Sequence, residues 1–327
     1  MHVSFLAWVL TFAMFGVILG FEVWTSVRNP HAPSLKSAAI WSVIYIAVAV
    51  LFGGLVWAFW GQGRAVEYLA GYVTERALSI DNLFVFILIM TAFSVPRQFQ
   101  QEVMLAGVAI AIVLRAVFIA LGAAIIERFS WVFFIFGVFL LLTAWKLLAA
   151  NDSEDEEYEE NALIRAIRRV VPVTAHYEGA RVWARSHGQM MLTPMAIVML
   201  AIGSTDLLFA FDSIPAIFGL TSEPYIVFTA NAWALMGMVQ LYFLLGGLLQ
   251  RLVYLSYGLS FILALIGVKL IIHALHENTL PFINDAHHVT VIPEISTGTS
   301  LLLIVLAIGV AAIFSLRSTS GDESTQA

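Results

Sequence analysis

Nine long apolar stretches dominate the chain, and each is long enough to cross a lipid bilayer as a helix. About 20 residues of helix span the hydrocarbon core, where backbone polar groups must be satisfied within the helix itself. Hydrophobic residues make up 61% of the 327 residues, the mean hydropathy is +0.91, and only 12% of residues are charged. We therefore predict an all-α polytopic membrane protein. The predicted spans are residues 3–23, 38–60, 66–93, 103–126, 130–149, 192–218, 225–248, 253–275 and 299–316.

The basic residues outside these spans are distributed unequally between alternate loops. With the N-terminus outside, eleven Lys and Arg residues lie on the cytoplasmic side, and only Arg64 and Arg128 lie on the outer side. Cytoplasmic loops accumulate Lys and Arg. The sequence therefore predicts a multi-pass protein of the cell membrane with its N-terminus outside and its C-terminus in the cytoplasm.

Polar segments divide the chain into regions. Residues 1–149 hold spans 1–5, and residues 192–317 hold spans 6–9 with an outer loop at 276–298. Between them, residues 150–191 form a predicted cytoplasmic linker with an acidic run and a basic amphipathic stretch. The outer loop is rich in His and carboxylates, but it lacks regular ligand spacing, so weak or no metal binding is expected there. Residues 318–327 are predicted to be a disordered tail.

The composition excludes several functions. The chain has no cysteine, so disulfides, thiolate metal sites and cysteine nucleophiles are absent. The formal net charge of −6 lies mainly in loops, without the basic surface that a nucleic acid partner needs. The motifs H-E-x-x-H, G-x-S-x-G and a phosphate loop are missing, and no G-x-G-D indicates an intramembrane aspartyl protease. We predict a protein that is not an enzyme and carries no prosthetic group.

Two pairs of carboxylates stand inside apolar spans. Glu75 and Asp81 lie six residues apart in span three and are followed by Asn82. Asp206, Asp212 and Ser213 repeat this spacing in span six: Asp206 and Asp212 lie six residues apart, and Ser213 follows. Ionisable residues at membrane depth are costly and usually functional. Span six lies three helix steps after span three, so the two spans cross the membrane in opposite directions, and spans 3–5 and 6–8 are predicted to be two three-helix repeats of inverted topology, as in many transporters.

Helix geometry limits how these acids can act together. Six residues turn a helix by about 600° and advance it by about 9 Å, so one straight helix does not point both acids at one ion. Either each span is broken, as Gly203, Ser204 and Pro215 permit in span six, or the acids are successive stations on a path. Together the acids and their polar neighbours offer only oxygen ligands, which suit hard divalent cations such as Mn²⁺, Mg²⁺ or Ca²⁺.

A purely structural role is the alternative for these acids. They can form ion pairs with bases inside the spans. The pairs in question are Glu75 or Asp81 with Arg76 or Arg115, and Asp206 or Asp212 with Lys269. Asn231 in span seven can be a ligand or an interhelical hydrogen-bonding residue, and for Gln240 the second role is preferred.

Four sequence blocks resemble one known family. They are ERALSIDNLFVF in span three, TDLLFAFDSIPAIFGLTSEPYIVFTAN across spans six and seven, LYFLLGGLL, and GVKLIIHALHEN. In order and spacing they are similar to the TerC/Alx family of integral membrane proteins. The resemblance implies an inner-membrane protein associated with tellurium resistance, with Mn²⁺ efflux or homeostasis, and with metalation of exported proteins. It marks Glu75, Asp81, Asp206 and Asp212 as site residues.

The chain departs from the family pattern at two positions. Many members carry a Glu where this chain has Gly203, and an Arg where it has Val239. Replacing both the Glu and the Arg by neutral residues leaves the net charge of the protein unchanged, so this Glu and this Arg can be partners in the members that carry them. Ion preference and coupling therefore do not transfer directly from the family.

Taken together, the sequence predicts a transporter that exports a divalent metal ion, with Mn²⁺ favoured, by alternating access. The predicted metal ligands are Glu75, Asp81, Asn82, Asp206, Asp212 and Ser213. Besides the metal ion, the predicted partners are the lipid bilayer and protons as the coupling ion, whereas the sequence does not define the oligomeric state. The alternative is a membrane protein that does not transport but assists metalation or assembly of exported proteins, or tellurium stress resistance.

Overall fold

A computed structural model describes most of the chain. It covers residues 1, 3–28, 32–149, 164–165, 172–174, 177, 179, 181–186, 189–245, 255–278 and 292–325, with the backbone alone for 81, 186, 189, 245, 255 and 316–325. The acidic run of the linker, most of its basic stretch and the middle of the outer loop lie outside these residues, and so do the structural predictions made for them.

Helices make up nearly all of the described structure. They are α1 Phe5–Arg28, α2 Leu35–Trp60, α3 Gln62–Ala92, α4 Gln100–Arg128, α5 Val132–Ala149, α6 Pro194–Phe218, α7 Pro224–Met236, α8 Met238–Leu245, α9 Leu255–Glu277 and α10 Thr297–Thr325. A short 3₁₀ turn at Arg97–Phe99 precedes α4. The all-α polytopic class predicted from the sequence is confirmed.

Eight segments within the described ranges are long and apolar enough to cross a membrane. They match eight of the nine predicted spans, with α7 and α8 together forming one of them. The ninth, α3, is 31 residues long and packs among the others, but its ionisable residues make it less apolar. Its length of about 46 Å is more than a bilayer requires. The polar residues of α3 therefore must be satisfied by neighbouring helices rather than by lipid.

A short β-hairpin was not anticipated in the linker. Trp183–Ser186 pairs antiparallel with Gln189–Leu192, so that Trp183 faces Leu192 and Ser186 faces Gln189. The hairpin leads directly into α6, whose first turn is capped by Thr193, with Pro194 at its first position. The hairpin was not predicted because strands of four residues are too short to give a clear alternating pattern of apolar and polar residues.

Two helix ends differ from the predicted spans. The predicted span 225–248 is interrupted at Gly237, which separates α7 from α8. The last helix continues to Thr325, so the segment predicted as a disordered tail from residue 318 is helical up to that point. No proline follows Arg317 to end this helix.

The helices pack in pairs that position the two acidic motifs. α3 packs on α7 and α6 packs on α4, while α5 and α9 form the most extensive pair. Gly137 and Gly267 allow α5 and α9 to approach closely, since a Cβ on Gly137 would lie 2.9 Å from the Gly267 carbonyl oxygen. When α3, α4 and α5 are matched in order with α6, α7 and α9, the contact of α3 with α7 corresponds to the contact of α6 with α4. The contact of α5 with α9 then corresponds to itself. The inverted orientation of these two sets stays a prediction.

Candidate functional site

A buried arginine on α4 organises the site. The Arg115 side chain is 1% exposed, and its guanidinium binds Asp206 of α6 with two hydrogen bonds. Nε lies 2.9 Å from Oδ2 and Nη2 lies 3.0 Å from Oδ1. Asp206 is equally buried, so this is a bidentate ion pair shielded from solvent.

The same guanidinium also reaches two further helices. Its Nη1 donates to Glu75 of α3 in a short ion pair, and it lies 3.1 Å from Asn231 Oδ1 of α7 and 3.3 Å from Ser213 Oγ of α6. Glu75 is fully buried. The first carboxylate of each sequence motif therefore binds one cation, and residues more than 90 positions apart converge on it. We call Glu75, Arg115, Asp206, Ser213 and Asn231 the Arg115 cluster.

The structure brings together some of the predicted ligands and leaves others apart. Glu75, Asp206 and Ser213 are in the cluster. Asp212 is half-buried on α6 and close enough to interact electrostatically with Glu75 and Arg115. Asn82 is buried on α3 but does not take part in the described hydrogen bonds of Arg115. The backbone of Asp81 continues α3, and its side chain lies outside the described residues.

The structure shows which of the ion pairs predicted for these acids form. The pairing of Glu75 with Arg115 is confirmed, but Asp206 also pairs with Arg115 and not with Lys269. Among the described residues, no ion pair joins Asp212 to Lys269. Lys269 instead donates to Thr297 Oγ1 at 3.2 Å, toward one end of the helix bundle. Sequence spacing cannot show which helices are neighbours, and α9, which carries Lys269, packs mainly on α5.

The helix break lies in span seven rather than in span six. α6 is continuous from Pro194 to Phe218, because Pro215 stands near its end and Gly203 serves close packing. A Cβ on Gly203 would lie 2.7 Å from Ile110 Cγ2 of α4. At the actual break, Arg76 donates to the carbonyl oxygens of Ala234 and Gly237 at 2.8 and 3.3 Å. Arg76 therefore satisfies carbonyl groups that the interrupted helix leaves free.

Three polar atoms in and beside the Arg115 cluster have no hydrogen-bond partner among the described residues. They are Glu75 Oε2, Asn231 Nδ2 and, one helical turn from Glu75, Ser79 Oγ. Buried polar groups are nearly always satisfied, so such atoms indicate a missing ligand, proton or water. The carboxylate oxygen is the most costly of the three to leave unpaired.

The charges at this position leave a negative surplus. Glu75, Asp206 and Asp212 carry three formal negative charges, and Arg115 carries one positive charge, which leaves a net charge of −2. No group of three His, Asp or Glu side chains is already arranged around a metal position in the part of the chain described. Two carboxylate groups are instead held by the guanidinium. The oxygen atoms at this position that Arg115 does not bind belong to Glu75 (Oε2) and Asp212, and Ser79 lies one helical turn from Glu75.

A second polar site lies at one end of the bundle. A cavity of about 380 Å³ is lined by Arg64 and Glu67 of α3, Lys269 and His273 of α9, and Glu294. Arg64 pairs with Glu67 at 2.8 Å, and Glu294 Oε1 lies 3.1 Å from His273 Nδ1. The hydrogen bond with His273 lowers the pKa of Glu294.

Arg64 and Glu67 were not predicted to be partners. Their i, i+3 spacing at the start of α3 was the available signal. The contact between Asn231 and Arg115 was not predicted either, because only the fold shows that these two residues are neighbours.

The comparisons with known proteins agree with this architecture. The sequence model of a family described as "Integral membrane protein TerC family" matches residues 60–320. Uncharacterised membrane proteins of Mycobacterium bovis and Mycobacterium tuberculosis are 45% identical to the chain over 324 residues, which cover 98% of this chain and 81% of each relative. A protein of Escherichia coli K12 named Alx, described as a proposed membrane-bound redox modulator, is 38% identical over 253 residues, covering 75% of this chain and 78% of Alx. No solved structure matches the chain at a significant level.

Proposed function

Because this chain belongs to the TerC family of integral membrane proteins, we propose that it transports a divalent metal ion, with Mn²⁺ as the favoured cargo. One observation carries this proposal. The two acidic motifs, which lie more than 120 residues apart in the sequence, converge on Arg115, and with the half-buried Asp212 beside them the described groups carry a net charge of −2. A dication bound beside Glu75 and Asp212 would cancel that charge. Uncompensated charge is expensive in a membrane interior, so this match favours a divalent ion.

The ligand chemistry favours hard metals. Every candidate ligand is an oxygen atom, and Glu75 Oε2 accepts no hydrogen bond in the described structure. Mn²⁺, Mg²⁺ and Ca²⁺ prefer carboxylate, hydroxyl and carbonyl oxygens, whereas softer metals prefer sulfur and imidazole. The oxygen ligands alone do not select among these three ions. The resemblance to the family favours Mn²⁺.

The direction of transport is outward in this proposal, and protons supply the driving force. Moving a dication out of a cell that is negative inside costs about 4.6 kcal/mol for each 100 mV of membrane potential. Proton entry can offset this cost if carboxylates that release the metal take up protons. Alternating access then exposes the Arg115 cluster first to the cytoplasm and then to the outside, with the N-terminus outside.

A redox role based on thiols does not suit this chain. The description of Alx refers to redox modulation. Thiol–disulfide exchange needs cysteine, and this sequence contains none.

Metal content of cells tests this proposal directly. Cells expressing the wild type, Glu75→Gln or Asp206→Asn at matched levels are loaded with Mn²⁺, and cellular metals are measured by mass spectrometry. The wild type should lower cellular Mn, and both variants should lose most of that effect. Glu127→Gln, which removes an exposed carboxylate from α4, is the matched control and should behave like the wild type. If wild-type expression changes no metal, transport is refuted and a partner role in metalation or assembly takes its place.

A further inference from the structure

We propose that Arg115 sets the charge of the ion that the site accepts, by cancelling one of its carboxylate charges. This inference rests on the proposed function, because it concerns the same cluster. It assigns Arg115 a role in selecting ion valence rather than in contacting the metal.

The geometry shows why the guanidinium stays in place when an ion binds. Arg115 makes two hydrogen bonds to Asp206 and further contacts to Glu75, Ser213 and Asn231. All of these residues are at least nine-tenths buried. Breaking five contacts inside the bundle is costly, and the unpaired Glu75 Oε2 offers an ion a binding position without doing so.

The fixed positive charge discriminates between ions by their valence. Each unit of charge on a bound ion is repelled by the guanidinium and attracted by the carboxylates. With Arg115 present, the described acidic groups leave a surplus of two negative charges, which a dication cancels. Without Arg115 the surplus is three, so a trivalent ion becomes the better match. Removing one carboxylate has the opposite effect and leaves a surplus of one.

The unpaired atoms provide independent support for a ligand at this position. Asn231 Nδ2 and Ser79 Oγ are buried without a partner in the described structure, like Glu75 Oε2. A lone carboxylate oxygen can be satisfied by a proton, but a hydroxyl and an amide nearby indicate a polar ligand such as a hydrated ion. Arg115 then forms one wall of the ion position, and its charge acts on any ion there.

Binding of Mn²⁺ and Tb³⁺ to the purified full chain in lipid nanodiscs tests the proposal. Free Mn²⁺ is followed by electron paramagnetic resonance and bound Tb³⁺ by its luminescence. The measured quantity is the ratio of Tb³⁺ affinity to Mn²⁺ affinity. Arg115→Gln should raise this ratio at least tenfold relative to the wild type, and Arg115→Lys, which keeps the charge, should change it less than threefold.

A compensating variant separates charge from contact. Asp206→Asn should weaken Mn²⁺ binding at least tenfold, and the double variant Arg115→Gln with Asp206→Asn, which restores the net charge, should recover most of the loss. Asp212→Asn lies outside the hydrogen bonds of Arg115 and should lower the Tb³⁺ to Mn²⁺ ratio at least tenfold. This variant keeps the test decisive if Arg115→Gln does not fold.

The outcomes distinguish the two proposals. If the wild type binds Mn²⁺ but neither Arg115→Gln nor Asp212→Asn shifts the ratio by more than threefold, valence selection by net charge is wrong and the metal site stands. A large shift in Arg115→Lys would also overturn it, because the charge is then unchanged. If the wild type binds neither ion, the proposed function fails first and this inference fails with it.

Discussion

Removing Arg115 should destabilise the protein more than removing either of its acidic partners, because the remaining charges differ. Arg115→Met leaves Glu75 and Asp206 buried at 0% and 1% exposure without a counter-charge. Breaking a buried ion pair in this way costs about 3–5 kcal/mol. The cost should lie at the upper end of that range, since two carboxylates lose the same partner.

Asp206→Asn leaves a smaller imbalance. The ion pair of Arg115 with Glu75 remains, and the asparagine oxygen can still accept one of the two former hydrogen bonds. The loss is then close to one charge-assisted hydrogen bond, about 1.5–3 kcal/mol. The two variants should therefore differ by about 2 kcal/mol in the free energy of unfolding.

Unfolding in mixed micelles with increasing denaturing detergent, followed by circular dichroism, measures this difference. Arg76→Met is the control, because Arg76 is a half-buried arginine within the bundle but binds the carbonyl oxygens of Ala234 and Gly237. Its loss leaves no carboxylate unpaired, so it should cost less than Arg115→Met. Equal costs for Arg115→Met and Asp206→Asn, within about 0.5 kcal/mol, would refute the reasoning from unbalanced charge.

Two further predictions concern packing and pH. Gly137→Val places its Cβ 2.6 Å from Ile271 Cγ1 and should destabilise the fold by about 1–3 kcal/mol in the same unfolding assay, whereas Gly54→Val, with no atom within 4 Å of the new Cβ, should stay within about 0.5 kcal/mol. The hydrogen bond with His273 holds the pKa of Glu294 below its ordinary value of 4.5, so the stability it contributes is present above pH 4.5 and is lost as the pH falls through the lower folded-state pKa. Glu294→Gln should remove this pH-dependent contribution to the free energy of unfolding, which is below about 1 kcal/mol because Glu294 is 54% exposed. The measurement is the melting temperature as a function of pH, and a profile equal to that of the wild type would contradict the assignment.

The sequence was sufficient to predict the class of fold and the residues with the greatest energetic cost. Apolar length gave the spans, and carboxylates at membrane depth singled out Glu75 and Asp206 before any contact was known. Both lie in the Arg115 cluster. These inferences succeed because each depends on one segment and on the solvent around it.

Inferences that depended on which helices are neighbours were less successful. Lys269 was an acceptable partner for Asp206 by charge and depth, but the packing of α9 on α5 keeps it away. Gly203 suggested a break in span six because glycine permits bending, whereas the structure uses its small size to bring Ile110 close. A glycine has both properties, and only the neighbouring helix determines which one matters.

The Arg115 cluster also bears on how the chain is made. Arg115 is synthesised 40 residues after Glu75 and 91 residues before Asp206. α3 is less apolar than its neighbours, and its Glu75 is costly at membrane depth unless a counter-charge accompanies it. The ion pair of Arg115 with Glu75 would neutralise that residue once α4 has followed α3, and Asp206 would then join this ion pair when α6 emerges. The same guanidinium that balances charge in the finished protein thus connects the order of translation to the order of assembly.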